Sequence, residues 1–203
     1  MLRKDKMMDI ESLKKELKSY LIDDEKRYNH CIGVMKMSGE LAKIYGVDVG
    51  KAEKCGLMHD MAKRMKEEEL IKYCEDNNIE ISNIERLIPK ILHGKVGGDI
   101  CYKKYDFDEE MKNSIVYHTT GRPNMSILEQ IIYVADKIDE TRTYSDVEYY
   151  RDLARKDIDE ATIEILDFGI SDFVKKRKIF SPVTVETRNC FLNKKAKEEK
   201  KGD

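Results

Sequence analysis

The 203-residue sequence predicts an all-α fold, on three observations. Apolar residues recur at three- and four-residue spacing along most of the chain. Asp and Ser stand ahead of these runs where helix N-caps belong, several with Glu three residues later. Little of the chain reads as strand, and no internal repeat is visible. The length suits one domain, residues 1–192, with the charged segment 193–203, NKKAKEEKKGD, as a solvated, disordered tail. Charged residues make up 38% of the composition, yet the net charge is only -2. Such a balance offers no global attraction to nucleic acid or an anionic membrane, so any phosphate binding must be local. The five cysteines, Cys31, Cys55, Cys74, Cys101 and Cys190, include no C-x-x-C pair, which argues against a disulfide framework or a zinc ribbon and for a reducing cytoplasm. Charges run through the start, MLRKDKMMDIESLKKELKSYL, which has no signal-peptide core, and eighteen apolar residues never run together. A soluble, cytoplasmic protein without a membrane partner is expected.

Each helix has its own signal. Ile10, Leu13, Leu17, Tyr20 and Leu21 share one face behind Asp9 as N-cap. A second helix from Asp24 carries His30, Val34, Met37 and Leu41 inward until Gly46 stops it. Asp48 caps a third, expected to run through Cys55 and Gly56 into His59, Asp60 and Lys63, with small Gly56 letting a neighbour approach. Glu67 to Cys74 is a short helix ended by Asn77-Asn78. Pro89, Gly94 and Gly97-Gly98 break Ser82 to Tyr105 into two or three pieces, with His93 at a junction. Asp108 caps a helix with Met111, Ser114, Ile115 and His118 on one face. Ser126 and Glu129 form a capping box ahead of ILEQIIYVADKI, apolar nearly all round and therefore central. Ser145 with Glu148, and Asp157 with Glu160, repeat the signature, and the helix from Ile158 runs past Phe168 and Phe173. KKRKIFSPVTVETRN reads as a basic turn and a short extended piece.

Chemistry gathers on CGLMHDMAKRM, Cys55 to Met65, and its His59-Asp60 pair. A lone histidine on an apolar face is more often a hydrogen-bonded core residue than a ligand. Here all four in the chain, His30, His59, His93 and His118, fall on inward faces or helix ends, together with two acids in apolar surroundings, Asp60 and Asp136. A buried carboxylate needs a partner. No basic residue at helical i to i+4 spacing serves both acids, and Lys63 and Glu129 pair only in part, so a divalent cation would satisfy all six groups. Spacings of 29, 1, 33, 25 and 18 residues, without a thiolate, suit Fe(II), Mn(II) or Zn(II) in an open, catalytic shell.

The ordered set, with the words RYNH, LMHDMAK, LHG, HTTG and ADKIDETR, resembles the bacterial HD-domain family of symmetrical bis(5'-nucleosyl)-tetraphosphatases from about Arg27 to Asn189. ADKIDETR lacks the proline that the family pattern has near its arginine. The resemblance implies a helical bundle with iron between central helices, as one or two ions, and hydrolysis of diadenosine tetraphosphate to two ADP by a metal-activated water. Carried over, His30, His59, Asp60 and Asp136 hold the first metal, Asp60 bridges, and His93 and His118 face a second metal or the phosphates. Lys63, Thr119 and Arg142 are the phosphate candidates, although a single basic residue is ordinarily a solvated surface charge. Ile179, Phe180, Ser181, Pro182, Val183 and Thr184 are expected in the nucleoside pocket, or else simply as cover for the core. Arg27, on the His30 face, is either a partner of the ligands or a phosphate contact.

Two other readings stand beside this one. An HD-type phosphohydrolase could take a deoxynucleotide, an alarmone or a cyclic dinucleotide instead. A non-catalytic nucleotide or metal sensor would use the same six residues as a closed site and the KKRK run, 175–178, for a partner, though such a run is more often a solvated helix end. The sequence is compatible with a homodimer.

Overall fold

The computed structural model describes residues 8–202; part of the charged start, residues 1–7, and Asp203 lie outside the described residues. Among the described residues there is no strand, and the all-α expectation is met. Helix α1 (Ile10–Tyr20) buries Leu13 and Leu17 behind Asp9, whose carboxylate accepts from the Ser12 amide. Helix α2 (Glu25–Tyr45) runs from its Asp24 cap to Gly46, which closes it in the left-handed region at φ 69°. Both ends fall where the sequence puts them.

Helix α3 (Val49–Met58) stops earlier than predicted. His59 Nδ1 lies 2.8 Å from the Gly56 carbonyl, the acceptor that a continuing helix would offer to the Asp60 amide. Backbone bonds then reach three residues back, Met61 N to Met58 O and Lys63 N to Asp60 O. His59 and Asp60 therefore occupy a tight turn at the helix end, not the helix body.

The rest follows in order as α4 (Glu67–Asp76), α5 (Asn83–Leu87), a 3-10 turn (Pro89–Leu92), α6 (His93–Lys104), α7 (Glu109–Val116), α8 (Ile127–Ile138), α9 (Val147–Lys156), α10 (Ile158–Lys175) and α11 (Pro182–Gly202). Ser126 and Glu129 close the expected capping box on α8. The Ser145 and Glu148 box does not form: Asp146 holds the N-cap position of α9, and Glu148 pairs with Arg151.

The extended piece expected after the basic turn is confined to residues 178–181, and α11 begins at Pro182. Proline is suited to a first helical turn, where a missing N–H costs nothing. Thr184, Thr187 and Phe191 then bury at helical spacing, a pattern hidden by the β-branched run Val183 to Val185. Residues 193–200 are exposed, as a solvated segment should be, but helical where disorder was expected. Ion pairs of Lys194 with Asp159 and Lys195 with Glu160 hold them on α10.

Helices α2, α3, α7 and α8 form a closed ring, with α3 also meeting α8 across it. Gly56 makes the α2–α3 approach possible, since a Cβ there would lie 2.9 Å from the Val34 carbonyl. Leu41, Leu57, Met58, Ile115, Ile131, Ile132 and Ile138 fill the ring without exposure. Each contributes about 1.5–3 kcal/mol relative to a solvated side chain. Helix α6 packs on α7, and α10 packs on α8 with α9 and α11 beside it. The ligand candidates sit on this ring or against it: His30 on α2, His59 and Asp60 after α3, His118 after α7, Asp136 on α8, and His93 at the start of α6.

Candidate metal centre and substrate cleft

The four imidazoles form a row. Neighbouring ring centroids are 5.2 Å apart for His30 and His59, 4.9 Å for His59 and His118, and 4.9 Å for His118 and His93. Every ring has Nδ1 against an oxygen: the Gly56 carbonyl for His59, Lys90 for His93 at 2.6 Å, Ile115 for His118 at 2.6 Å, and the Asp139 carboxylate for His30 at 3.1 Å. Carbonyl and carboxylate oxygens carry no proton to give, so each Nδ1 is the donor and, in the neutral ring, each Nε2 keeps its lone pair, that of His93 being met by Lys63 Nζ at 3.1 Å.

Those lone pairs converge on two carboxylates. His30 Nε2 is 2.9 Å from Asp136 Oδ1, and His59 Nε2 is 3.6 Å from both Asp136 Oδ1 and Asp60 Oδ2. At the other end of the row, His93 and His118 place Nε2 3.0 Å and 3.4 Å from Asp60 Oδ1. Acceptors thus face acceptors. His30 Nε2, His59 Nε2 and Asp60 Oδ1 are buried with no hydrogen-bond partner at all, a costly arrangement unless a cation sits among them. Three overlapping sets have donor atoms mutually within 4.8 Å: His30, His59 and Asp60; His59, His118 and Asp136; Asp60, His93 and His118. Imidazole and carboxylate donors without thiolate fit a divalent transition metal, and Asp60 is shared by the sets at both ends.

The acids are not short of cations, contrary to the expectation from helical spacing. Arg27 Nη1 donates to Asp60 Oδ2 at 2.7 Å, and Lys63 Nζ stands 3.4 Å from Oδ1. The Lys137 ammonium and Arg142 Nη2, the latter at 2.9 Å, hold Asp136. Arg27 and Arg142 come from outside the acids' own helical turns, where an i to i+4 search does not look, and Lys137 is the very next residue to Asp136. Even so, the field at the floor favours positive charge. Burial alone would depress the His59 imidazolium, but Asp60 and Asp136 outweigh it and lift its pKa to about 9. Burial, with His59 and His93 beside it, pushes His118 down to about 3 despite its contact with Asp60. Burial would also raise the acids, yet His59 on Asp60 and Lys137 on Asp136 keep both well below the usual carboxylate range.

A cleft of about 740 Å³ opens over the His93 end of this row. Lys63, Thr119 and Arg142 line it, as do Ile179, Phe180, Ser181 and Thr184. Pro182 and Val183 do not; they face an adjoining groove that shares Thr119, Thr120 and Ser181 with the cleft. Arg142 is already engaged, its guanidinium forked onto the Asp136 carbonyl through Nε at 2.9 Å and Nη2 at 2.7 Å. Arg27, open to two roles, pairs with Asp60, one of the ligand candidates. From the KKRK run only Lys178 reaches the cleft, and Lys176 pairs with Asp172.

Sequence reasoning missed most of the wall. Tyr133, Tyr144, Phe168 and Phe173 line it, Tyr144 stacking on Phe168 and Phe173 on Phe180. Lys90 and Lys137 add charge at its edge. Tyr133 was within reach, being one turn before Asp136 on the same helix. Asp139 was missed as well, although it lies one turn beyond Asp136.

A helical bundle that centres a His-Asp pair in such a donor set defines the HD class of metal-dependent hydrolases. The HD domain profile matches residues 27–141. A symmetrical bis(5'-nucleosyl)-tetraphosphatase from Halalkalibacterium halodurans is 37% identical over 169 residues, covering 83% of this chain and 90% of the relative. Another of that name, from Staphylococcus aureus, is 37% identical over 91% of this chain and 95% of the relative. Among solved structures, an HD superfamily hydrolase from Clostridium acetobutylicum, described as involved in NAD metabolism, superposes with a TM-score of 0.88 at 34% identity, covering 93% of this chain and all of that one. The chain belongs to the HD-domain family, within its bacterial symmetrical bis(5'-nucleosyl)-tetraphosphatases.

Proposed function

We propose that the chain hydrolyses diadenosine tetraphosphate at its central anhydride, releasing two ADP, with iron as its resident metal. The observation that carries the proposal is the join between two features: a row of Nε2 atoms converging on two carboxylates, and a basic, aromatic cleft opening over one end of it. The activity for which the relatives are named supplies the substrate. His30, His59, Asp60 and Asp136 would hold a divalent metal, with His93 and His118 toward a second ion or the phosphates, and the metal would supply Lewis acidity and lower the pKa of the attacking water.

The chain's own residues do the rest. The cleft volume lies in the range of nucleotide-sized ligands, so it takes one nucleoside diphosphate half, base against the Phe173 and Phe180 plates. Lys63, between Asp60 and His93, neutralises the phosphate at the scissile position. Lys90 and Lys178 meet the charge of the departing half, and Arg142 keeps Asp136 in place while presenting its outer edge to the cleft. We also place the protein in the cytoplasm, supported by five unpaired cysteines. Among the described residues no helix is long and apolar enough to cross a membrane.

Incubation of the iron-loaded protein with diadenosine tetraphosphate tests the reaction. ADP as the sole product is expected. ATP plus AMP would refute central cleavage, and no turnover would turn the search to other nucleotides.

A further inference from the structure

Three of the four imidazoles take their Nδ1 partner from the carbonyl three residues upstream, and each of these stands at a helix end. His30 has no such option. It lies inside α2, where upstream carbonyls are spent on the helix ladder. Its partner comes from 109 residues away, the Asp139 carboxylate in the turn after α8. We propose that Asp139 is a positioning residue of the metal centre: it fixes the Nδ1–H tautomer of His30 and makes that Nε2 a stronger donor than its three carbonyl-held counterparts.

The socket around Asp139 is built for one acceptor direction. Its side chain is fully buried. Oδ1 accepts from the Thr141 amide at 2.9 Å and the Thr141 hydroxyl at 2.6 Å, leaving Oδ2 for His30 and for Arg142 Nε at 3.2 Å. On the other side is Gly33, one turn after His30 on α2. A Cβ there would come within 2.7 Å of Asp139 Oδ1, an oxygen that Thr141 does not allow to move freely. Glycine in the middle of a 21-residue helix costs helix stability, and the room it leaves is filled by this carboxylate.

A carboxylate behind a ligating imidazole raises its basicity and locks its orientation, which a neutral carbonyl does less strongly. The two ends of the histidine row are therefore unequal. The set with His30, His59 and Asp60 takes the first ion, and the set with Asp60, His93 and His118 takes a second, weaker one. This rests on the reading of the row as a metal centre.

The test uses full-length protein stripped of metal and titrated with Co(II) against a chromophoric chelator. Asp139→Asn keeps the shape and removes the charge, and Gly33→Ala crowds the carboxylate without touching it chemically. Both should weaken the first binding step by about 10- to 100-fold and leave the second within about twofold. A first step unchanged in both variants, or both steps weakened equally, overturns the proposal. A second readout needs no metal. In histidine-labelled, metal-free protein, nitrogen NMR should find a proton on Nδ1 of all four rings, with one Nδ1–H resonance shifting upfield in Asp139→Asn and three staying. His30 found as the Nε2–H tautomer in the parent overturns it. Should the parent bind no metal, the functional reading fails while the NMR result still decides the Asp139 link.

Discussion

On the floor of the cleft every polar side chain is fixed from behind, each imidazole by an oxygen at Nδ1 and each carboxylate by a cation, with His59, Asp60 and His118 at 1% exposure or less. On its wall, Tyr144 lies on Phe168 with rings 5.6 Å apart and Phe173 on Phe180 at 5.2 Å, and Phe168 is 46% exposed. The floor is specified by hydrogen-bond direction, the wall by area. Direction admits few replacements, whereas area admits any flat apolar group of similar size. The reaction class is therefore written in the floor, and substrate choice belongs to the wall.

The largest effect that would break this division is at Asp60. Asp60→Asn keeps the side-chain volume but removes the charge shared by donors at both ends of the row. Turnover should fall by more than about 10³-fold, beyond the loss of one transition-state donor, and metal content should fall with it. Circular dichroism should remain helical. Retained turnover would overturn the mechanism.

Metal removal comes next. The core is a closed ring that does not depend on the donors, so the stripped protein should stay folded and lose about 3–4 kcal/mol, read as a drop of several degrees in Tm that restored metal reverses. Unfolding by chelator would instead make the site structural. In the stripped protein His59 adds its own pH dependence. Its folded pKa, about 9, lies above the ordinary imidazole value of 6.5, so its contribution is complete below that value and is lost as pH rises through about 9. Stability of the metal-free protein should thus fall by up to about 3 kcal/mol between pH 6 and pH 9.5. Bound metal takes the place of the proton and should flatten that limb.

On the wall, Phe173→Ala should raise KM about tenfold, the loss of one base stack, with kcat within twofold. Phe173→Leu should recover most of it. A fall in kcat instead would mean that the wall also aligns the reacting phosphate, and the division would have to be redrawn.

The floor was legible because its chemistry is rare. Four histidines in 203 residues, each in a recognisable word, leave few places for a site, and caps at Asp24, Asp48 and Asp108 mark the helices that carry or lead into three of them. The wall was not legible, because Phe168 and Phe173 on α10 have the same helical spacing as core residues, and only packing leaves them facing a cleft. Asp139 stayed hidden since its partner is 109 residues away. Arg27 was legible as a partner of the ligands, but that it pairs with Asp60, 33 residues on, escaped a search confined to helical neighbours. Helix α11 was misread because Val183-Thr184-Val185 has strand propensity, which tertiary packing of Thr184 and Thr187 overrides.

The smallest effect tests the join between floor and wall. The segment from α5 to α6 carries Ile88, Lys90 and Ile91 on the wall and His93 on the floor. Glu85 clasps it: its carboxylate accepts from the Ser82 amide at 2.8 Å and from Lys95 Nζ, two residues past His93, at 2.9 Å. Burial would raise this carboxyl, but Lys95 and Ser82 hold it below its ordinary value. Its contribution is therefore present above about pH 4.5 and is lost as pH falls through the depressed value. Glu85→Gln should cost about 1 kcal/mol at pH 7 and flatten the acid limb of stability, moving neither kcat nor KM by more than about twofold. A rise in KM alone would show that the clasp sets the position of the wall; a fall in kcat would show that it aims His93.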